Sequence, residues 1–175
     1  MPVKRIQIVG SLLAIVLSVP FLGRTWNLVL HELGAVLFLG NIIVSALWMT
    51  LARREGTADA LRLGIRGIVL TDAVFTGPGA ILLLLNGGII ATPYFQAGAM
   101  WVMIGAAHFL LTALAFALGV SPAQKKLLAL MESTPAGATV PAAATPLLAR
   151  WYRFGGIAIL LPLVVLVLMI VKPTF

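Results

Sequence analysis

An all-α, polytopic transmembrane helical bundle is the fold class predicted by three observations: composition, long apolar segments and an uneven distribution of basic residues. Of the 175 residues, 61% are hydrophobic and only 10% are charged. The mean hydropathy is +1.11. A soluble domain carries about 25% charged residues. We therefore expect lipid, rather than water, to surround most of this chain.

Five apolar segments are long enough to cross a bilayer, which takes about 20 helical residues for roughly 30 Å of hydrocarbon. They lack the alternating pattern of a β-barrel, so we predict α-helices, which satisfy their own backbone hydrogen bonds in lipid. The first segment is also typical of a signal peptide, but Pro20, Phe21 and Leu22 stand where small residues would mark cleavage. The predicted spans are residues 6–23, 26–52, 62–88, 94–119 and 151–171.

A single transmembrane domain, residues 1–175, is expected, with one long connection between the fourth and fifth spans. This connection begins with a short predicted helical extension, Ala123 to Met131. Residues of about 132–149 are rich in Ala, Thr and Pro. Because that composition cannot bury a core, it predicts a flexible linker on the cytoplasmic side.

The basic residues predict the orientation. A cytoplasmic N-terminus puts ten Lys and Arg residues on the cytoplasmic side and two, Arg24 and Lys172, outside, which agrees with the positive-inside rule. We therefore expect a multi-pass protein of the bacterial inner (cytoplasmic) membrane with its C-terminus outside. The ten are Lys4, Arg5, Arg53, Arg54, Arg62, Arg66, Lys125, Lys126, Arg150 and Arg153.

Charge and cysteine content exclude several classes of protein. The net charge of +7 comes from short basic clusters that lie between apolar segments and form no continuous patch, so no nucleic-acid partner is expected. The absence of cysteine excludes disulfides, iron–sulfur clusters and thiolate metal sites. The HELGA motif at His31 lacks the second histidine of a zinc-binding HExxH helix, so no metal site is predicted.

Polar side chains within the predicted spans are the candidates for a functional site, because such groups usually face the interior of a bundle. On the second span, a seam at alternating steps of three and four runs through His31, Gly34, Phe38, Asn41, Ser45 and Trp48. On the fourth span, a second seam runs through Trp101, Gly105, His108, Thr112 and Ala115. Glu32 lies about 100° around the helix from His31, so these two do not share a site by default.

Residue numbers at equal depth predict which polar groups meet. In two antiparallel helices, residues at the same depth have residue numbers that add up to a constant. That sum should be about 113–114 for the second and third spans and about 184 for the third and fourth. Asn41 is then level with Asp72, and Thr76 is level with His108. We predict a buried polar cluster of Asn41, Asp72, Thr76, His108 and Thr112.

This cluster has two interpretations. Its members could simply hold helices together, each hydrogen bond contributing about 0.6–2 kcal/mol. Alternatively they form a site, either a proton relay through Asp72 or part of a haem b site, with His31 as the better ligand and His108 as the weaker. Ligation of one haem by both histidines is disfavoured by a depth offset of about 9 Å between them.

Two further features concern helix packing. Gly10, Ala14 and Ser18 form a small-residue stripe on the first span, suited to close packing within the chain or with another membrane-protein subunit. The run FTGPG, residues 75–79, is expected to break the third span, because Pro78 removes a backbone donor.

Residues 30–54, LHELGAVLFLGNIIVSALWMTLARR, resemble a bacterial family of predicted integral membrane proteins of unknown function. Asp72 ahead of FTGPG and the C-terminal LLPLVVLVLMIVKP fit the same family. The resemblance covers about Arg24 to Pro173 and implies a four-helix core to which the first helix is an addition. More distantly, the histidine near the start of a core helix is similar to the haem-binding membrane protoporphyrinogen oxidases, which implies His31 as a haem ligand.

Two functions therefore stand as expectations. The first is a non-catalytic accessory or scaffold subunit of a larger membrane complex. The second is a small haem-binding or redox-linked membrane protein that uses His31, with Asp72 and His108 in the polar cluster. No nucleophilic triad, phosphate-binding loop or metal-ligand motif predicts a conventional enzyme.

Overall fold

A computed structural model describes residues 3–18 and 22–174, and their fold is an all-α bundle. We number five helices: α1 (Val3–Leu17), α2 (Gly23–Arg54), α3 (Ala58–Gln96), α4 (Met100–Ser133) and α5 (Ala144–Val171). Two of the residues that argued against cleavage, Pro20 and Phe21, lie outside the described residues.

The predicted fold class, a polytopic transmembrane bundle, is confirmed. Among the described residues, four helices, α2 to α5, are long and apolar enough to cross a membrane. The first predicted span corresponds to α1, which has 15 residues. At about 1.5 Å per residue, α1 is about 22 Å long, less than the full thickness of the hydrocarbon core.

Short turns connect α2 to α3 and α3 to α4. Gly56 and Gly98 both have φ of +72°, a left-handed conformation that favours glycine over residues with a Cβ atom. Thr57 then caps the start of α3, its hydroxyl accepting a hydrogen bond from the Ala60 backbone N–H at 3.2 Å. The turn at Gly98 falls several residues beyond the predicted end of the third span, so Tyr94 belongs to the end of α3 rather than to the start of α4.

Neither proline nor glycine breaks α3 at the FTGPG run. The chain instead widens into a π-helical segment, Asp72–Thr76, and Pro78 occupies the first turn of the α-helical segment that follows. A similar π-helical segment, Phe116–Val120, interrupts α4. Such wide turns insert an extra residue into a helix and occur frequently at functional sites.

Helices α2 and α3 cross in close contact at two glycines. A Cβ atom on Gly34 would lie 2.8 Å from the Leu83 backbone nitrogen, and one on Gly79 would lie 2.9 Å from that of Phe38. The contact is therefore backbone against backbone, as at small-residue crossings of other membrane helices. It places the facing side chains of α2 and α3 in register along the rest of the hairpin.

At the end of the bundle that carries most of the basic residues, here called the basic end, the helices enclose a hydrophobic core. Its fully buried members include Met49 on α2, Leu61 and Ile65 on α3, and Leu127 and Met131 on α4. Trp151 of α5 is 4% exposed and completes this core. The basic end is thus packed like a soluble helical domain.

The connection between α4 and α5 is shorter and more ordered than its composition indicates. Helix continues to Ser133 and begins again at Ala144, so only 134–143 of the predicted linker at about 132–149 lie between helices. These residues pair with the α2–α3 turn: the Ala58 N–H donates to the Ala138 carbonyl at 2.8 Å, and the Val140 N–H donates to that of Gly56 at 3.1 Å. Main-chain pairing, which composition does not reveal, holds this segment against the bundle.

Candidate functional site

An intramembrane carboxylate, Asp72, lies at the centre of the main polar cluster. Asn41 on α2 donates from Nδ2 to Asp72 Oδ1 at 3.1 Å and to Thr76 Oγ1 at 2.8 Å. The Thr76 hydroxyl in turn donates to Asp72 Oδ1 at 2.9 Å. The structure therefore brings together three of the five residues of the predicted cluster, Asn41, Asp72 and Thr76.

Gln124 on α4 extends the cluster and was missed by the sequence analysis. Its Nε2 donates to Asp72 Oδ2 at 3.0 Å, and its Oε1 accepts from Trp151 Nε1 at 3.3 Å. One polar chain thus connects α2, α3, α4 and α5. Gln124 was assigned to a helical extension beyond the fourth span, so no signal from membrane depth pointed to it.

The expected pairing of α3 with α4 is wrong by about three helical turns. Tyr94 packs on Trp101 with ring centroids 5.1 Å apart, and Asp72 pairs with Gln124, so equal-depth residue numbers sum to about 195 rather than 184. The cause is the position of the turn, which lies at 97–99 because α3 continues to Gln96.

His108 and Thr112 consequently make no hydrogen bond to the Asp72 cluster within the described chain. His108 Nδ1 lies 2.8 Å from the Ile104 carbonyl, and the Thr112 hydroxyl donates to the His108 carbonyl at 2.8 Å. Both side chains are therefore satisfied by carbonyls one turn earlier in their own helix. Thr112 nevertheless lines the same cavity as Asp72 and Thr76.

This cavity, called here the α1–α4 cavity, has a volume of about 360 Å³. Both π-helical segments contribute to its wall. Its polar lining comes from Gln7, Asp72, Thr76, Thr112, Ser121, Gln124 and Lys125. Its apolar lining comes from Val3, Phe38, Ile42, Val69, Ala73, Gly77, Ala80, Phe109, Ala113 and Phe116.

A second cavity of about 140 Å³ lies on the other side of Asp72, against α5. Asp72 and Gln124 line both cavities. The second cavity is also lined by Ser45, which is 5% exposed and whose hydroxyl has no hydrogen-bond partner among the described residues. The carboxylate is thus accessible from two sides of the bundle interior.

His31 lies away from this cluster, between α2 and α3. Its Nδ1 is 3.0 Å from the Leu83 carbonyl, and because a carbonyl can only accept, Nδ1 carries a proton. A Cβ atom on Gly87 would lie 2.8 Å from the imidazole Cε1, so glycine is needed for the ring to fit.

The corrected register reduces the expected depth offset between the histidines but does not remove it. Arg24, Tyr94 and Trp101 lie together at the end opposite the basic end, where Arg24 Nη2 donates to the Tyr94 hydroxyl at 3.1 Å. His31 is level with about Leu83 of α3, and the sum of about 195 sets Leu83 level with Thr112 of α4, four positions or about 6 Å from His108. Neither histidine lines either described cavity, and no hydrogen bond joins them to each other. Haem ligation by these residues stays a prediction.

A second polar layer, near His31, was also missed. Asn86 is fully buried and donates from Nδ2 to the Ser18 hydroxyl at 2.7 Å and to the Leu82 carbonyl at 3.0 Å. Asn27 is 1% exposed and donates to the Gly23 carbonyl at 2.9 Å. Asn86 stands alone in the apolar run LLLLNGGII, so the rule that singled out Asn41 applied to it equally.

The small-residue stripe on α1 packs within this chain. A Cβ atom on Gly10 would lie 2.9 Å from Pro78 Cγ, and Ala14 is 3% exposed. Ser18 accepts the hydrogen bond from Asn86. The face formed by Gly10, Ala14 and Ser18 is thus covered by α3, so it does not serve the protein partner for which it was a candidate.

These features define a class: polytopic α-helical membrane proteins with a hydrogen-bonded carboxylate and cavities inside the bundle. The particular family follows from comparison with family models. Residues 8–173 match the family described as "Predicted integral membrane protein (DUF2269)", and the chain belongs to it. The match extends over most of α1, which the resemblance from Arg24 to Pro173 had left out. Comparisons with curated proteins and with solved structures found no match.

Proposed function

We propose that this protein is a non-catalytic accessory subunit that packs against a larger membrane complex through α2. The observation that carries the proposal is Glu32, an exposed carboxylate on α2. No hydrogen bond or ion pair joins Glu32 to another residue in the part of the chain described. An ionisable group that faces lipid is costly unless a partner satisfies it.

The tryptophans of α2 support a position for Glu32 inside the hydrocarbon. Trp26 and Trp48 are 61% and 58% exposed, and their separation of twenty-two positions corresponds to about 33 Å, close to the thickness of a bilayer core. Tryptophan is enriched at both membrane interfaces. Glu32 follows Trp26 by six positions and therefore lies about 9 Å inside the interface.

The surface around Glu32 supports a helix as the partner. The residues one turn away on the same face, Leu28, Val29 and Val36, are exposed and apolar. A carboxylate in such a surface is complemented by a membrane helix that carries a lysine, an arginine or a histidine at the same depth. A second copy of this chain is a poorer partner, because two-fold packing through this face would bring two Glu32 side chains together.

Photo-crosslinking tests the proposal. A benzoylphenylalanine introduced at Val36, which is 69% exposed, should form an adduct with a membrane protein in intact cells. Mass spectrometry of the adduct should identify a helix with a basic residue. Glu32→Gln should reduce the adduct about tenfold, the effect of losing about 1.4 kcal/mol.

The matched control is the same crosslinker at Leu160 on α5, which is 65% exposed and apolar on all sides. This position should give lipid adducts only. If Val36 also gives lipid adducts only, or if its protein adduct is unchanged by Glu32→Gln, the accessory role of this face is wrong.

We also propose that the basic end faces the cytoplasm of a bacterial inner membrane, with the C-terminus outside. The ten-to-two distribution of basic residues supports this orientation. Because the chain has no cysteine, single-cysteine variants label at one site. Ala97→Cys should react with an impermeant maleimide in spheroplasts, whereas Ala136→Cys should react only after the membrane is opened. The reverse pattern would contradict the orientation.

A second candidate is a haem-associated protein in which His31 is the ligand. The hydrogen bond to the Leu83 carbonyl supports it, because metal-ligating histidines usually donate their other ring N–H to such an acceptor. The purified protein should then show a Soret band that His31→Ala removes and His108→Ala keeps. A folded, colourless preparation after haem addition would exclude this candidate.

A further inference from the structure

We infer that the α1–α4 cavity binds the headgroup of an amine-bearing, zwitterionic phospholipid, with the ammonium at Asp72 and the phosphate at Lys125. This inference is independent of the proposed accessory role. It rests on a carboxyl group and a lysine that line one cavity without pairing with each other, and on the amphipathic character of the cavity wall.

No basic side chain of the described residues is paired with Asp72. Its three donors, Asn41, Thr76 and Gln124, are all neutral. They orient the carboxylate without neutralising it, and Oδ2 accepts only one hydrogen bond, so a lone pair is left for a further donor. A cation that enters the cavity would supply both the donor and the charge.

Lys125 supplies the opposite charge on the same wall. It follows Gln124 in α4, is exposed, and has no acidic partner in the described parts of the chain. Asp72 and Lys125 both line the cavity but do not form an ion pair with each other. A ligand with both an ammonium and a phosphate satisfies both at once, whereas an anionic lipid would satisfy Lys125 and oppose Asp72.

The cavity wall favours a lipid over a small soluble zwitterion. Along α4 the lining runs from Phe109 to Lys125, sixteen positions or about 24 Å. On α4, its half towards the bilayer centre is formed by Phe109, Ala113, Phe116 and Thr112, whose hydroxyl is already bonded to the His108 carbonyl, and its half towards the basic end by Ser121, Gln124 and Lys125. An apolar half beside a polar half matches an acyl chain that continues from a headgroup.

Size and depth agree with this occupant. The volume of about 360 Å³ is at the lower end of the range of ligand pockets, enough for a headgroup and the first part of one chain. Asn41, which donates to Asp72, precedes the interfacial Trp48 by seven positions, so the carboxylate lies within about 10 Å of the membrane boundary. A headgroup bound there would lie up to about 10 Å deeper than those of the surrounding lipids, among the polar side chains of the cavity.

Native mass spectrometry and fluorescence titration of the detergent-purified full chain test the inference. Phosphatidylethanolamine should bind at least tenfold more tightly than phosphatidylglycerol with the same acyl chains. Asp72→Asn should remove this preference by weakening phosphatidylethanolamine alone. Lys125→Gln should weaken both lipids about tenfold. Circular dichroism and gel filtration establish that each variant is folded.

Lys126→Gln is the matched control, because Lys126 is the exposed neighbour of Lys125 and does not line the cavity. It should bind both lipids as the unmodified protein does. Equal affinity for the two lipids in the unmodified protein, or equal effects of the two lysine substitutions, would overturn the inference. If Asp72→Asn does not fold, the comparison of Lys125→Gln with Lys126→Gln still tests the inference. If soluble phosphoethanolamine binds the protein with the same affinity as the lipid, the ligand of the cavity is a free zwitterion and not a lipid.

Discussion

At the scale of single residues, the interior of this bundle contains polar groups that are satisfied and three buried polar atoms without a partner among the described residues, which are Ser45 Oγ and the side-chain oxygens of Asn27 and Asn86. Thr76 both donates to Asp72 and accepts from Asn41, so its hydroxyl lies at the centre of the cluster. The Ser45 hydroxyl, one turn along α2 from Asn41, has no partner among the residues described. A buried polar group without a partner costs free energy, whereas a bonded one contributes.

Replacement of these two hydroxyls should therefore change stability in different directions. Thr76→Val keeps the side-chain volume but removes two hydrogen bonds, so the free energy of unfolding should fall by about 1–2 kcal/mol. Ser45→Ala should leave it unchanged or raise it, because only an unpaired group is lost. Unfolding in mixed micelles, followed by circular dichroism, measures both. A larger loss for Ser45→Ala than for Thr76→Val would contradict this account of the cluster.

At the scale of helices, the α2–α3 hairpin is organised by its glycines. Four residues of the seam predicted on α2 are buried, namely Gly34, Phe38, Asn41 and Ser45. The buried face then continues through Met49, whereas Trp48, which the prediction included, is exposed. A step of four from Ser45 to Met49 keeps the buried face in line with the helical period of 3.6 residues. Sequence spacing defined most of the buried face, and the structure shows where it continues.

Two glycines of α2 form a matched pair for testing the crossing of α2 and α3. Gly34→Ala should separate the helices, because the new Cβ would lie 2.9 Å from the Gly79 carbonyl oxygen, and a loss of about 1–3 kcal/mol is expected. Gly40→Ala meets nothing within 4 Å and should gain about 0.5–1 kcal/mol from the better helix propensity of alanine. Thermal unfolding in detergent compares them. Equal effects would show that the hairpin does not depend on backbone contact.

At the scale of the whole molecule, the membrane-embedded part of the bundle and its basic end are packed differently. Within the membrane most large side chains of α5 are exposed to lipid, including Leu160, Val167 and Ile170. At the basic end, by contrast, Leu61 and Leu127 are fully buried between helices. Arg62 reinforces this end by donating from Nη2 to the Thr134 carbonyl at 2.7 Å.

The two regions should respond differently to the same substitution. Leu61→Ala should lower the free energy of unfolding by about 2–5 kcal/mol, because it leaves a cavity in a closely packed core. Leu160→Ala should change it little, because acyl chains contact this side chain in both states. The measurement is denaturant titration in bicelles. A small effect at Leu61 would indicate that the basic end is loosely packed.

The register between α3 and α4 shows why part of the candidate site escaped prediction. Asn41, Asp72 and Thr76 were predictable because α2 and α3 are joined by a short turn whose position the charged residues reveal. The next turn lies within an apolar stretch, and its displacement to 97–99 exchanged His108 and Thr112 for Gln124 as neighbours of Asp72. When a turn is displaced by a few residues, the pairing between the two antiparallel helices that it joins shifts by twice that number.

Hydropathy and the absence of alternation were sufficient to determine that the chain is a membrane-embedded helical bundle, because a lipid solvent permits few other ways to satisfy the backbone. The position of Asp72 within an apolar segment also located the intramembrane carboxylate. The tertiary structure alone decided that Gln124 and Trp151 connect Asp72 to α5, that α1 covers α3, and that two cavities meet at the carboxylate. These properties depend on helix lengths, crossings and π-helical segments, which arise from contacts between distant residues.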